Sequence, residues 1–270
     1  MRPYCLPVLL VLCFATMAVA QPAATDAANK PLRVLFIGNS YTGYSNLPYL
    51  LEQVSASQKN GPRIQTGQSL SGGKTLQWHW TQGQALKAIR QGGWDFVVLQ
   101  EQSLLGNTPK AGENPYVNAP AQYEEFAAKF DAEIRKVGAR TVLYATWARD
   151  GYPEQQRRLD DAFTRVAASL NAVIVPVGLG FTVTRIEAPS VSMHMPDRSH
   201  PTMAGSYLAT LLFYQCLTGR RVSAPPAVIE GPVGSESTRA TLVNLPWSDA
   251  STLNQIASRV ASAEPRCPVR

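Results

Sequence analysis

The stretch VLFIGNSYTGYSN, residues 34–46, runs four apolar residues straight into Gly38-Asn39-Ser40 and then into a polar, helix-opening segment. Val34 to Ile37 have the length and composition of a buried strand, and the glycine after them punctuates a tight turn. Whether Ser40 is a reactive group or only part of a strand-to-helix turn depends on the rest of the chain. Directly downstream, NLPYLLEQVSASQ (46–58) repeats Leu47, Leu50, Leu51 and Val54 at helical spacing. The alternation then recurs. RIQTGQSL (63–70) is a weaker strand ending near Gly72-Gly73, and LQWHWTQGQALKAIRQ (76–91) is helix-like with unevenly spaced apolar residues. DFVVLQ (95–100) reads as a buried strand. After a loop from Gly106 to Pro120, AQYEEFAAKFDAEIRKVG (121–138) is an amphipathic helix that stops at Gly138. RTVLYATW (140–147), PEQQRRLDDAFTRVAASLN (153–171) and AVIVPVG (172–178) continue as strand, helix and strand. This βαβαβαβαβα pattern predicts an α/β fold with a mostly parallel five-stranded sheet between two layers of helices. Ligands in such sheets bind beyond the carboxyl ends of the strands, and two residues, Gly38 and Asn39, separate Ser40 from the first apolar run.

The chain opens with Met1-Arg2, an almost wholly apolar run from Leu6 to Ala20, and the small-residue exit Ala18-Val19-Ala20. That is the pattern of a secretory signal peptide over 1–20, too short for a lasting membrane span. Residues 21–30 read as a flexible lead-in, and 31–265 as a single domain, since about 240 residues suit one core and no low-complexity linker divides them. No cysteine follows the small residues, so a free exported protein, periplasmic or secreted, is expected rather than a lipid-anchored one. Without the leader the charge is +5, from 24 basic and 19 acidic side chains, spread without a basic block. This argues against nucleic acid as a partner. With Cys5 and Cys13 in the leader, Cys216 and Cys267 remain; an oxidising compartment allows them to pair, and the sequence leaves the pairing open. Three histidines and no metal-ligand spacing give no metal site, Met193-His194-Met195 being packing residues by ligand count, and no cofactor is called for.

The second informative stretch, MPDRSHPTMAGSYLATLLFYQCLTG (195–219), places Asp197 and His200 ahead of a helix opened by Pro201, closed near Gly219 and apolar at 204, 207, 208, 211 and 212. A carboxylate on Nδ1 would fix the histidine tautomer and leave Nε2 free to take a proton from a serine hydroxyl. Met alone, the pair also suits a helix cap. Joined to Gly-Asn-Ser at the end of the first strand, it points to nucleophilic catalysis.

IGNS and DRSHP, in this order and separation, resemble the serine and Asp-x-x-His blocks of the SGNH, or GDSL-type, hydrolases, over residues 33 to about 216. The resemblance implies a three-layer flavodoxin-like fold and a serine esterase with Ser40 as nucleophile, His200 as base and Asp197 as the orienting acid. It also implies an oxyanion hole made by the Ser40 N–H, an N–H of Gly72 or Gly73, and an asparagine amide after the third strand. Two positions depart from the pattern. Asn39 stands where the family usually has aspartate, and LQEQS replaces the asparagine block, offering Gln102, with Gln100 at the glycine position. Glutamine carries the same amide donor on one more methylene. Ser69 lacks the second glycine of a nucleophile elbow, and His194 also lies three residues from Asp197 without the Pro and helix context of His200. Asn39, Tyr41, Trp78, His79 and Trp147 are candidate substrate contacts, with Tyr44 and Trp80 further aromatics able to stack on a sugar. The expected activity is hydrolysis of a small acyl ester, O-acetyl on a carbohydrate; transfer of the acyl group to a sugar, or glycan binding without turnover, are the alternatives. SAPPAVIEGP (223–232) and SDASTLNQIASRVASA (248–263) read as a C-terminal loop and helix appended to the domain.

Overall fold

A computed structural model of the chain describes Met1 and residues 30–106, 116–232 and 238–268. Apart from Met1 and Lys30, the expected leader and lead-in lie outside these residues, as does the middle of the loop between Gly106 and Pro120. The apolar run of the opening stretch forms β1 (Leu32–Gly38). It passes through a single-turn helix, α1 (Ser40–Gly43), into α2 (Leu47–Ser57) and β2 (Ile64–Leu70), then α3 (Leu76–Gln82), α4 (Gln84–Arg90) and β3 (Phe96–Leu99). Next come α5 (Pro120–Lys136), β4 (Arg140–Tyr144), α6 (Gln155–Leu170), β5 (Val173–Val175), α7 (Val177–Glu187) and α8 (Met203–Thr218). A strand pair, β6 (Val228–Pro232) and β7 (Arg239–Asn244), and α9 (Trp247–Ala263) follow.

The five strands β1 to β5 are parallel and lie in the order β2-β1-β3-β4-β5. This is the flavodoxin-like order, in which the connections leave β1 and β3 in opposite directions and open a crevice at their carboxyl ends. Period-two alternation sends neighbouring side chains to opposite faces. Val34, Phe36, Val98, Val142, Tyr144, Val173 and Val175 enter the core shared with α2, α7, α8 and α9. Leu35, Ile37, Val97, Leu99, Leu143 and Ile174 enter the core shared with α3, α4, α5 and α6.

Four local expectations change. The helix-like segment 76–91 is two helices, because Gly83 adopts φ +74, closing α3 through its N–H to the His79 carbonyl and opening α4. That break explains the uneven apolar spacing. The last strand stops at Val175: Pro176, without an N–H to give to the ladder, turns the chain into α7, which the strand reading had overlooked. Helix α8 starts at Met203, capped by Thr202, and is buried on every side from Ala204 to Leu217. It packs against α2, β5, α7, α9 and β7, so its sequence shows no polar face. The Pro-rich stretch 223–232, read as loop, supplies β6, paired antiparallel with β7. Cys216 and Cys267 are disulfide-bonded, tying the end of α8 to the C-terminal tail. Among the described residues, no helix is long and apolar enough to cross a membrane.

Candidate active site

Ser40 is the first residue of α1, at the carboxyl end of β1 in the crevice beside β3. The preceding residue, Asn39, caps the helix: its Oδ1 accepts the Tyr41 N–H at 3.1 Å, and its Nδ2 donates to the Lys74 carbonyl at 3.0 Å. The second bond needs an amide; an aspartate could not make it. From α3, the His79 Nε2–H donates to the Gly38 carbonyl at 2.8 Å. Burial pushes the His79 pKa down, which keeps the ring neutral in this role.

The partner groups arrive from the loop before α8. Asp197 Oδ1 accepts the N–H groups of Ser199 and His200, both at 2.9 Å, while Oδ2 takes Nδ1–H of His200 at 2.5 Å. The turn is closed by Met195 N–H to the His200 carbonyl and Arg198 N–H to the Met195 carbonyl, with Arg198 in the left-handed region at φ +61. His200 Nε2 lies 2.8 Å from Ser40 Oγ. With Nδ1 protonated against Asp197, Nε2 carries the lone pair, so the Ser40 hydroxyl donates to it. Partial burial pushes the Asp197 pKa up, but the bonds from His200 and the two N–H groups outweigh it and hold the carboxyl below its ordinary value. The three residues thus form a continuous path for a proton from hydroxyl to imidazole, beside a carboxylate that stabilises the imidazolium. Ser69 is not needed for it, and His194 is turned away, its Nε2–H donating to the Ala148 carbonyl at 3.1 Å.

A stack of rings fixes the histidine loop to the sheet. Tyr41 lies flat on Trp147 at 4.5 Å, and Trp147 lies flat on Phe181 at 4.1 Å. Tyr41 Oη is 2.7 Å from Ser199 Oγ, and Trp147 Nε1–H donates to the Ser199 carbonyl at 3.0 Å. These contacts correct most of the substrate-contact expectations. Trp147 has both faces covered and is 1% exposed; Asn39, Tyr41 and His79 are likewise buried, so they hold the loops instead of meeting a sugar. Trp80 packs edge-on against Phe130. Trp78 is partly exposed and lines an open groove with Gly73, Lys74 and Gln77. The aromatic at the triad with a free surface is Tyr44, 48% exposed and stacked on His200 at 5.2 Å.

The oxyanion candidates divide. Gly72 and Gly73, the latter at φ +67, lie exposed on the turn next to Lys74, which Asn39 holds. Gln102 is buried, its Oε1 accepting the Leu104 N–H and its Nε2 donating to Ser103 Oγ. Gln100 is fully buried against the serine turn, where its Oε1 accepts from the Asn39 N–H and its Nε2 donates to Asn39 Oδ1. Glu101 between them was overlooked in the sequence because an acid at a strand end is unremarkable there. Its buried carboxylate accepts the Leu76 N–H at the start of α3 and the Gln102 N–H, and burial pushes its pKa up to about 7. Among the described residues, no group of three or more His, Cys, Asp or Glu side chains is placed to hold a metal ion.

No protein-family model matches the sequence, and no curated protein matches it. Solved structures do match. A protein described as an SGNH hydrolase from Slackia heliotrinireducens has a TM-score of 0.53 and 25% identity, over 69% of this chain and 98% of that one. A lipase/acylhydrolase from Enterococcus faecalis has a TM-score of 0.54 and 16% identity, over 73% and 100% of the two chains. An acetylxylan esterase from Geobacillus stearothermophilus has a TM-score of 0.53 and 17% identity, over 69% and 94%. These structures share with the chain a parallel sheet between two helical layers, so the chain has the fold of the SGNH, or GDSL-type, hydrolases.

Proposed function

We propose that the chain is an exported serine esterase that removes a small acyl group, O-acetyl on a carbohydrate. The observation that carries the chemistry is the hydrogen-bonded path from Ser40 through His200 to Asp197, at 2.8 and 2.5 Å, in the crevice of a parallel sheet. Ser40 Oγ attacks the ester carbon and its proton passes to His200 Nε2. The tetrahedral intermediate collapses, the C–O bond to the alcohol breaks, and the departing alkoxide takes that proton. Water then gives a proton to Nε2 and attacks the acyl-enzyme, releasing the carboxylic acid and restoring the Ser40 hydroxyl. The oxyanion is met by the Ser40 N–H at the start of α1 and an N–H of the Gly72-Gly73 turn, with the Gln102 amide as the third candidate. The carbohydrate is supported by Tyr44 beside His200, by the Trp78 groove next to the glycine turn, and by an acetylxylan esterase among the matching folds.

The test is turnover of p-nitrophenyl acetate and of acetylated xylo-oligosaccharides, with labelling by a serine-directed phosphonate. Ser40→Ala is expected to abolish both turnover and labelling; unchanged values would remove Ser40 from the mechanism. Longer acyl esters are expected to be poorer substrates than acetate. Export is tested by the N-terminus of the protein released from cells: a start at Gln21 agrees with cleavage after Ala20, and retention of residues 1–20 refutes it.

A further inference from the structure

We infer that Gln100 is a positioning residue for the nucleophile, and that its amide serves the turn carrying Ser40 instead of the oxyanion. The inference rests on the esterase reading above. A primary amide has two N–H donors and two acceptor lone pairs. In Gln100 all four are committed. Oε1 accepts from the Asn39 N–H at 2.8 Å and from the Thr42 hydroxyl at 3.0 Å, and Nε2 donates to Asn39 Oδ1 at 2.9 Å and to the Glu101 carbonyl. No donor is left for a developing charge. Three of the four bonds go to residues 39 and 42, which bracket Ser40.

The main chain of Gln100 adds a fourth tie to the β1 end, its N–H donating to the Ile37 carbonyl at 2.9 Å. Gly38 makes room for the side chain: a Cβ there would lie 2.5 Å from Gln100 Oε1. The amide is 0% exposed, so water does not compete for these bonds. The histidine comes from a separate loop, so the Ser40–His200 distance is set by how firmly each loop is held. Misplacing a reacting group by about 1 Å costs on the order of 100-fold in rate. The glutamine at this position therefore fixes the direction of Ser40 Oγ and of the Ser40 N–H.

The experiment measures kcat and KM for p-nitrophenyl acetate, phosphonate labelling rates and thermal unfolding for the wild type, Ser40→Ala, Gln100→Met, Gln100→Glu and Gly38→Ala. Gln100→Met keeps the bulk and removes all four bonds. It is expected to lower kcat by about 100-fold, with KM within about threefold and labelling slowed in step. Gln100→Glu keeps the acceptor and should recover part of the rate, to about tenfold below wild type. Gly38→Ala crowds the amide without changing it and should give the same split between kcat and KM. If Gln100→Met does not fold, the other two variants decide. A folded variant set with wild-type kcat, or a rate loss that follows only the unfolded fraction, overturns the inference while leaving Ser40-dependent turnover in place. Absence of Ser40-dependent turnover in the wild type would instead overturn the esterase reading, and this inference with it.

Discussion

The two loops that meet at the reacting atoms are built in opposite ways. The serine turn is interior: Asn39 and Thr42 are 3% and 1% exposed, and side chains from α3 and from Gln100, just after β3, bolt it down. The histidine loop is exterior: the Asp197 and His200 side chains are 49% and 28% exposed, held by a local turn and by the rings beneath. The difference suits the proposed division of labour. A nucleophile needs only a direction, which interior hydrogen bonds supply. A base must hand its proton to a departing alcohol and then receive one from water, which requires an open edge.

The largest break in this comparison comes on the exposed side. Asp197→Asn keeps an oxygen for the Ser199 and His200 N–H groups but sets an amide against Nδ1, favouring the wrong tautomer. A fall in kcat on the order of 10⁴-fold with KM little changed is expected in steady-state ester hydrolysis. A fall of less than about tenfold would show that the carboxylate does not orient the base. Next in size is Trp147→Ala, which removes the plate between Tyr41 and Phe181 and the bond to the Ser199 carbonyl. Chemical unfolding should show a loss of about 3–5 kcal/mol. Turnover of the folded protein should fall too, because the histidine loop rests on that ring.

The contrast also explains what could be read from the sequence. Asp197 and His200 are three residues apart, and their pairing is local, so the motif alone exposed it. β1, β3, β4 and β5 were legible because each is a short apolar run buried on both faces, whereas the edge strand β2, polar and only partly buried, read more weakly. The role of Gln100 was not legible: its partner Asn39 is 61 positions away, and only the pairing of β1 with β3 brings the two side chains together. The burial of Trp147 was hidden for the same reason, since Tyr41 and Phe181 reach it from different elements. β6 was missed because a Pro-rich composition reads as loop until β7 pairs with it and α2 packs against it.

The two sides also respond to pH with opposite signs. On the serine side, Glu101 titrates near 7 in the fold and near 4.5 when unfolded, so between these values the folded chain binds more protons. Stability then falls as pH rises from about 4.5 to 7 and levels off above it, by up to about 3 kcal/mol. On the histidine side, the Asp197 carboxyl is held below its ordinary value of 3.8, so its contribution is present above that value and is lost as pH falls further. Comparing the wild type with Glu101→Gln by urea unfolding from pH 4 to 8 isolates the first effect. The wild type should lose ground against the variant across pH 4.5–7. A constant difference would show that the buried carboxyl does not titrate there.

The smallest expected effect probes the residue that joins the two sides. Tyr44 follows α1 on the serine turn, yet its ring stacks on His200 of the other loop and leaves about half its surface to solvent. An aromatic contact of this kind contributes about 0.5–1.5 kcal/mol. Tyr44→Ala should therefore lower kcat/KM for acetylated xylo-oligosaccharides by about three- to tenfold. Aryl acetate carries no sugar ring, so it separates two roles. An equal loss on both substrates would mean that Tyr44 steadies His200. A loss confined to the oligosaccharide, seen in KM, would mean that the exposed half of the ring receives the sugar. Trp78→Ala measured beside it tells whether the sugar also extends over the serine side, along the groove next to the glycine turn.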